Sequence, residues 1–314
     1  MNLKTKSIAN GNVLILLFVV SIVVQALVFN ALQMDFMLHA VIAQVGMWFL
    51  PFPLYLIITR QKPKNVLNLT IPNVKSVLFA MLLGITLVPV VITLTLLIPL
   101  LNNLIFPAQA IMTSEFLATV PSFWVLILMG AVFPAIFEEI WFRGIFFDHY
   151  RNGVKKASIL ATGIATGLIF GLIHSDLAQI IYAIPFGILF AFLVHYSRSI
   201  WVPIITHFVI NGLSFTLGYF QPTPEVTEYA IEAAEVSPWE TIIFFGVIAL
   251  LMVPVIFLCM KKFKKYYKDT QTAEDVATEP NVKSTEKPKI FTWPLCLAIL
   301  VLLVRTLLFI FGVI

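Results

Sequence analysis

Apolar residues in this chain come in long unbroken blocks, not in the period-2 or period-3.6 alternation of elements that keep one face in water. Nine blocks approach or exceed the ~20 residues a helix needs to cross a hydrocarbon layer about 30 Å thick. They lie at approximately 12–33, 36–59, 76–101, 121–147, 157–174, 179–197, 201–219, 240–260 and 290–313. The pattern predicts an all-α protein, a polytopic transmembrane helical bundle of about nine spans. Lys4 and Lys6 precede the first block as they would a cleaved signal. The apolar run from Val13 to Val28 is longer than the core of such a signal, so a retained signal-anchor is expected.

Composition agrees with the pattern: 60% of the 314 residues are apolar, 11% are charged and mean hydropathy is +0.98. A soluble domain carries about 25% charged residues, so a water-facing globule is excluded. The cysteines, Cys259 and Cys296, both fall in apolar blocks, which excludes a disulfide scaffold. The net charge of +4 would suit nucleic acid if it were clustered on a soluble face. It is instead divided among loops: 18 of the 20 Lys and Arg residues lie in the N-terminus or in alternate connections. The intervening connections hold none and carry Asp35, Glu115, Asp176 and an acidic run from Glu225 to Glu240. The positive-inside bias places the N-terminus in the cytosol and, with nine spans, the C-terminus outside. Membrane lipids are the expected surroundings and no nucleic-acid partner is expected. Residues 220–239 suggest a short acidic helix on the outer surface. Residues 261–289 open with KKFKKYYK, suited to anionic headgroups, and continue as a disordered linker.

Two basic residues fall inside apolar blocks, Arg143 and Arg305. Each ionisable group at mid-membrane costs about 2.5–3.5 kcal/mol on insertion scales. Glu138, Glu139 and Arg143 share the fourth block. Glu139 and Arg143 are four apart with the acid first, the favourable order for a same-face ion pair. Glu138 points about 100° away and has no local partner. Pro134 removes the helix hydrogen bond to the Gly130 carbonyl and is expected to kink the helix ahead of the acids. The fifth block carries Gly163, Gly167 and Gly171 at four-residue spacing, a smooth face for close helix approach, with His174 three residues on. In the seventh block His207 and Asn211, four apart, share a face. Adhesion between helices would need fewer polar groups. Two carboxylates, two imidazoles, an amide and a guanidinium suit hydrolysis: a carboxylate to deprotonate water, an imidazole to share the proton and N–H donors for an oxyanion. His39, His149 and His195 have no polar neighbour at helical spacing and are set aside.

These motifs resemble the CPBP family of intramembrane proteases, the CAAX prenyl endopeptidase and bacteriocin-processing group that also includes lysostaphin-resistance proteins. The family pattern of Glu-Glu-x-x-x-Arg, then Phe-x-x-x-His, then His-x-x-x-Asn is matched in order by Glu138-Glu139-x-x-x-Arg143, Phe170-x-x-x-His174 and His207-x-x-x-Asn211. The resemblance divides the chain into N-terminal transmembrane helices (1–114), a catalytic core (115–219) and two C-terminal helices (220–314) joined by the basic, partly disordered cytosolic linker 261–289. It implies an intramembrane endopeptidase of a bacterial plasma membrane, acting on a peptide or membrane-protein substrate. Glu138 would activate water with His174, His207 and Asn211 would line the oxyanion site, and Glu139 and Arg143 would hold the helix and its charge.

A zinc form is the alternative mechanism, with His174, His207 and one glutamate as three ligands. The chain lacks His-Glu-x-x-His and Asn211 is a poor zinc ligand, so a cofactor-free mechanism is favoured. A non-catalytic immunity or scaffold protein of the same fold is the second function class. A proton-relaying transporter is the third, and the absence of related halves counts against it. One geometric demand follows. Straight helices would put Glu138 about 20 Å in from the cytosolic ends but His207 only about 10 Å. Tilt, the Pro134 kink or a re-entrant start near Trp201 must bring them level.

Overall fold

A computed structural model describes residues 7–32, 34, 36–105, 120–151, 157–174, 176–220, 238–270 and 289–311. The apolar blocks become helices: α1 (Ile8–Leu32), α2 (Met37–Thr59), α3 (Val74–Ile105), α4 (Phe123–Arg151), α5 (Ile159–Leu172), α6 (Leu177–Ser197), α7 (Trp201–Tyr219), α8 (Pro238–Thr270) and α9 (Trp293–Ile310). Among the described residues there is no named strand, only an isolated bridge between Leu69 and Ser199. Eight of these helices are long and apolar enough to cross a membrane.

The fifth block departs from expectation. α5 has 14 residues, about 21 Å at 1.5 Å per residue, and falls short of a ~30 Å crossing. Its length is set by punctuation at both ends. The Ser158 side chain accepts the Ala161 N–H and starts it, and a turn through His174 leads to Asp176, whose carboxylate accepts the Gln179 N–H at 2.8 Å and starts α6. The linker also begins later than expected. The basic stretch from Lys261 belongs to α8, which continues to Thr270 because nothing in it breaks a helix. Phe263 is buried, Tyr266 accepts a hydrogen bond from Asn73 at 2.8 Å, and Tyr267 bonds Ser76 at the start of α3. Residues 271–288, and the acidic segment expected at 220–239 apart from its ends, lie outside the described residues.

α5 and α6 form a tight hairpin because glycines face each other. A Cβ on Gly187 would stand 2.7 Å from the Gly167 Cα, and one on Gly167 would stand 2.9 Å from the Ile184 carbonyl oxygen. Backbone on backbone leaves no side chain to yield. Gly167→Ala is therefore expected to destabilise the protein by about 1–3 kcal/mol through overpacking. Gly163→Ala, whose nearest neighbour is the Ile188 side chain at 3.3 Å, is tolerated better. Thermal midpoints of the two variants in detergent check this, and equal midpoints would contradict the packing argument.

Around this hairpin, one buried cluster draws on α1, α2, α4, α5, α6, α7 and α9, and another on α3, α6, α7 and α8. Polar residues inside the first cluster are matched across helices. Asn12 donates to the Ile290 carbonyl and Thr292 and accepts from Tyr150, and His149 meets the Tyr55 hydroxyl at 3.1 Å. His149 is thus fully buried with partners on other elements, which helical spacing along its own chain does not reveal. Arg305 donates to the Ile173 carbonyl at 2.8 Å, a cation at the C-terminal end of α5 where the helix dipole favours it.

Candidate active site

α4 carries the acids on a helix that is not regular. Two π-helical segments, Leu128–Val132 and Ile140–Phe146, flank an α-helical stretch Phe133–Glu139. Pro134 stands at the start of that stretch and has no N–H to give the Gly130 carbonyl four residues earlier. Asn211 of α7 supplies the replacement: its side-chain amide donates to Gly130 O at 3.1 Å. A defect in one helix is thereby closed by a side chain from another.

That bond sets the direction of the others. A carbonyl only accepts, so the Asn211 atom facing Gly130 is the amide nitrogen. The same nitrogen lies 3.2 Å from His207 Nε2, which therefore accepts. His207 then carries its proton on Nδ1 and donates it to Glu139 Oε1 at 3.1 Å. Arg143 Nη1 donates to the same oxygen at 3.0 Å and Arg143 Nη2 to the Gly187 carbonyl at 3.1 Å. The guanidinium is fully buried, with its central carbon 4.5 Å from the Phe170 ring centre and 5.1 Å from that of Phe190. Arg143 is thus held by charge, a backbone carbonyl and two aromatic faces, and Glu139 ties α4 to α7.

Glu138 stands apart from this network. Its Oε2 is buried without a hydrogen-bond partner among the described residues, and His207 Nε2 is 3.9 Å away. His174 donates from Nδ1 to the Phe170 carbonyl at 2.7 Å, which leaves the Nε2 lone pair open. Both residues line one partly open cavity of about 550 Å³ walled mainly by α3, α4, α6 and α7, with Gln44 of α2, Phe170 of α5 and Phe245 of α8 at its lining, and His207 and Asn211 line it too. All six residues picked out in the sequence therefore converge: four on the cavity wall, with Glu139 and Arg143 buried behind it.

The depth mismatch is resolved by where α7 begins. Gly144 of α4 has no side chain, and Leu67 and Ile200 fill the space beside it. The Ile200 N–H donates to the Asn68 carbonyl and fixes the start of α7 there. Gly144 is seven residues inside the end of α4, about 10 Å. His207 consequently starts its count about 10 Å in and meets the Glu138–Glu139 layer. Proline and π-helical turns bend α4, but the re-entrant start of α7 does most to level the site. Gly144 and Gly187 were not recognised from the sequence. Gly187 falls in the same small-residue seam as Gly167, a signal legible once α5 and α6 are treated as a pair.

As to metal, no group of three His, Cys, Asp or Glu side chains suited to an ion occurs among the described residues. Glu139 Oε1 is occupied by Arg143 and His207, and both His207 nitrogens are engaged. Glu138 Oε2, Glu139 Oε2 and His174 Nε2 have no partner among the described residues, but Glu139 does not line the cavity, so two of these side chains face it, fewer than the three protein ligands of a catalytic zinc site. These residues as placed do not fit zinc.

Residues 120–213 match the family model described as Type II CAAX prenyl endopeptidase Rce1-like. The protein of Bacillus subtilis (strain 168) named "Putative membrane peptidase YdiL" is 31% identical over 99 residues, which is 32% of this chain and 39% of that protein. The chain thus aligns with about two fifths of the length of that curated relative. No solved structure matches. The family match spans α4 to α7 and contains all six site residues.

Proposed function

From a chain whose α4–α7 core matches the model of the Rce1-like CAAX prenyl endopeptidases, we propose that the protein hydrolyses a peptide bond inside the membrane by metal-free, glutamate-based activation of water. One observation carries the reading: Glu138 Oε2 and His174 Nε2 are two acceptors without partners on the wall of one cavity. A water molecule has two hydrogens to offer such a pair. Glu138 takes one proton as the water oxygen bonds to the carbonyl carbon, while His174 accepts the second hydrogen bond and orients the attack. The carbonyl π pair moves onto oxygen, then returns as the C–N bond breaks and Glu138 hands its proton to the leaving nitrogen. Glu139, Arg143 and His207 keep Glu138 and α7 in register. For His207 and Asn211 to hold the oxyanion, Asn211 exchanges its bond to His207 for the substrate oxygen.

The substrate is a peptide or membrane protein that presents an apolar stretch, since Val91, Ile92, Phe186 and Ile210 supply much of the cavity lining. With the N-terminus in the cytosol, as the basic residues place it, the scissile bond lies in the cytosolic half of the bilayer. The test uses purified protein in lipid nanodiscs and a panel of quenched-fluorescent peptides, prenylated and unmodified. Cleavage is expected to persist after treatment with a strong zinc chelator. Loss on chelation with recovery on zinc addition would replace the mechanism with a metal-dependent one. No cleavage of any peptide would favour a binding or immunity role.

A further inference from the structure

The cavity raises a question of donors. An oxyanion needs an N–H or O–H aimed at it, yet the N–H groups of the motif residues are already committed: His174 to Phe170, His207 to Glu139, and Asn211 to Gly130 and His207. Five other cavity-lining side chains carry donors, namely Gln44, Thr95, Gln179, Tyr182 and Ser214. Their heights relative to Glu138 separate them.

Arg143 of α4 bonds the carbonyl of Gly187 on α6, and Phe147 of α4 packs with Ala191 of α6 in one buried cluster. In both pairs the α6 residue lies 44 positions after its α4 partner. The two helices therefore run in the same direction, and the same offset from Glu138 arrives at Tyr182, which lines the same cavity. Ser214 stands seven residues beyond His207, about 10 Å along α7, and Gln179 is about 4.5 Å from the level of Tyr182. Gln44 donates to the Met129 carbonyl, nine residues ahead of Glu138 and so about 13 Å along α4. Thr95 lies eleven residues beyond Gly84, which faces Val209, and so stands about 16 Å from that contact. By this count Tyr182 comes nearest to Glu138. Its ring is held against Phe186, with centroids 5.6 Å apart, and its hydroxyl has no hydrogen-bond partner among the described residues.

Building on the proposed hydrolysis, we infer that Tyr182 is a further catalytic residue, whose phenolic O–H donates to the oxyanion that forms on the scissile carbonyl. The bond is available without rearrangement, unlike one from Asn211. Water oxygen bonds to carbon, the π pair becomes the oxyanion's charge and Glu138 holds the proton. Tyr182 keeps its own proton throughout and shares it only as a hydrogen bond. The donor strengthens its bond as charge develops, so its effect falls on the transition state more than on bound substrate.

Tyr182→Phe removes the hydroxyl and leaves the ring on Phe186. With the peptide that the wild-type protein cleaves in nanodiscs, kcat is expected to fall roughly 10²–10³-fold, the usual effect of deleting one oxyanion donor, with KM little changed. The aldehyde analogue of that peptide, whose hydrate mimics the tetrahedral carbon, should bind the variant correspondingly less well, while the cleaved product binds equally. Wild-type kcat in Tyr182→Phe, alongside an inactive Glu138→Gln, overturns the Tyr182 assignment and leaves the protease reading standing. Equal losses of product and aldehyde binding overturn it as well, because they mark a structural residue. Failure of Tyr182→Phe to accumulate also counts against it, since a hydroxyl without a partner contributes nothing to folding. A wild-type protein that cleaves no peptide overturns both readings together.

Discussion

Glu138→Gln is expected to abolish peptide hydrolysis in a protein that accumulates and melts at least as well as the wild type. Glutamine keeps the shape of glutamate and cannot take a proton from water, and a positioned general base contributes about 10²–10⁴-fold to rate. Stability should not suffer, because Glu138 Oε2 makes no hydrogen bond that the substitution would break. Burying a carboxylate without a partner is costly, so the neutral amide is expected to hold the thermal midpoint or raise it. Lost activity with unchanged or improved folding marks a residue retained for chemistry rather than for packing. Kinetics and thermal melting in one detergent preparation read both halves. A Glu138→Gln protein that still cleaves peptides would refute the mechanism. If both proteins bind peptide equally and neither cleaves it, the non-catalytic reading is correct.

Glu139→Gln should produce the opposite signature, although the two acids are neighbours. Glu139 Oε1 receives both Arg143 and His207, and its side chain and that of Arg143 are wholly buried. Removing the acid leaves a guanidinium without its counter-charge among Phe142, Phe170 and Phe190. Breaking a buried pair by deleting one partner typically costs 3–5 kcal/mol, roughly a third or more of the stability of an ordinary domain. Poor accumulation and a lowered thermal midpoint are expected. Adding Arg143→Met should restore accumulation, because an apolar chain of similar length removes the stranded charge. It should not restore activity, since His207 then lacks the charged acceptor that orients it. Normal accumulation of Glu139→Gln alone would show that Arg143 does not depend on this pair.

Taken together, the variants separate groups that act on substrate from groups that hold them. Glu138, His174 and Tyr182 face the cavity with capacity unused inside the protein. Glu139 and Arg143 are tied to each other, to His207 and to the Gly187 carbonyl behind the wall, while His207 and Asn211 reach the wall but are engaged with their neighbours. An unused acceptor or donor is costly in a membrane unless water or substrate fills it, which makes these positions the natural place for chemistry.

The sequence by itself determined the features whose causes are local. Uninterrupted apolar blocks predict helices because a chain in lipid must satisfy its backbone within each segment. The Glu139–Arg143 pair was legible because a four-residue spacing brings side chains together on any helix, and Glu138 was legible as the acid left over. The vacancy that Pro134 creates at the Gly130 carbonyl was legible too, since proline always lacks its N–H. What filled that vacancy was not. Asn211 lies 81 residues away from Gly130 in the chain, and no periodicity relates the two. The short α5 depended on caps at Ser158 and Asp176, and the level meeting of His207 with Glu138 depended on a missing side chain at Gly144. That Tyr182 shares a cavity with Glu138 depended on how α6 packs against α4, two helices that the Arg143–Gly187 bond ties together. Helical spacing fixes which residues share a face within one helix. Only packing decides how far each helix is inserted against its neighbours, and in this protein that height separates a cavity with chemistry from polar groups scattered through a bilayer.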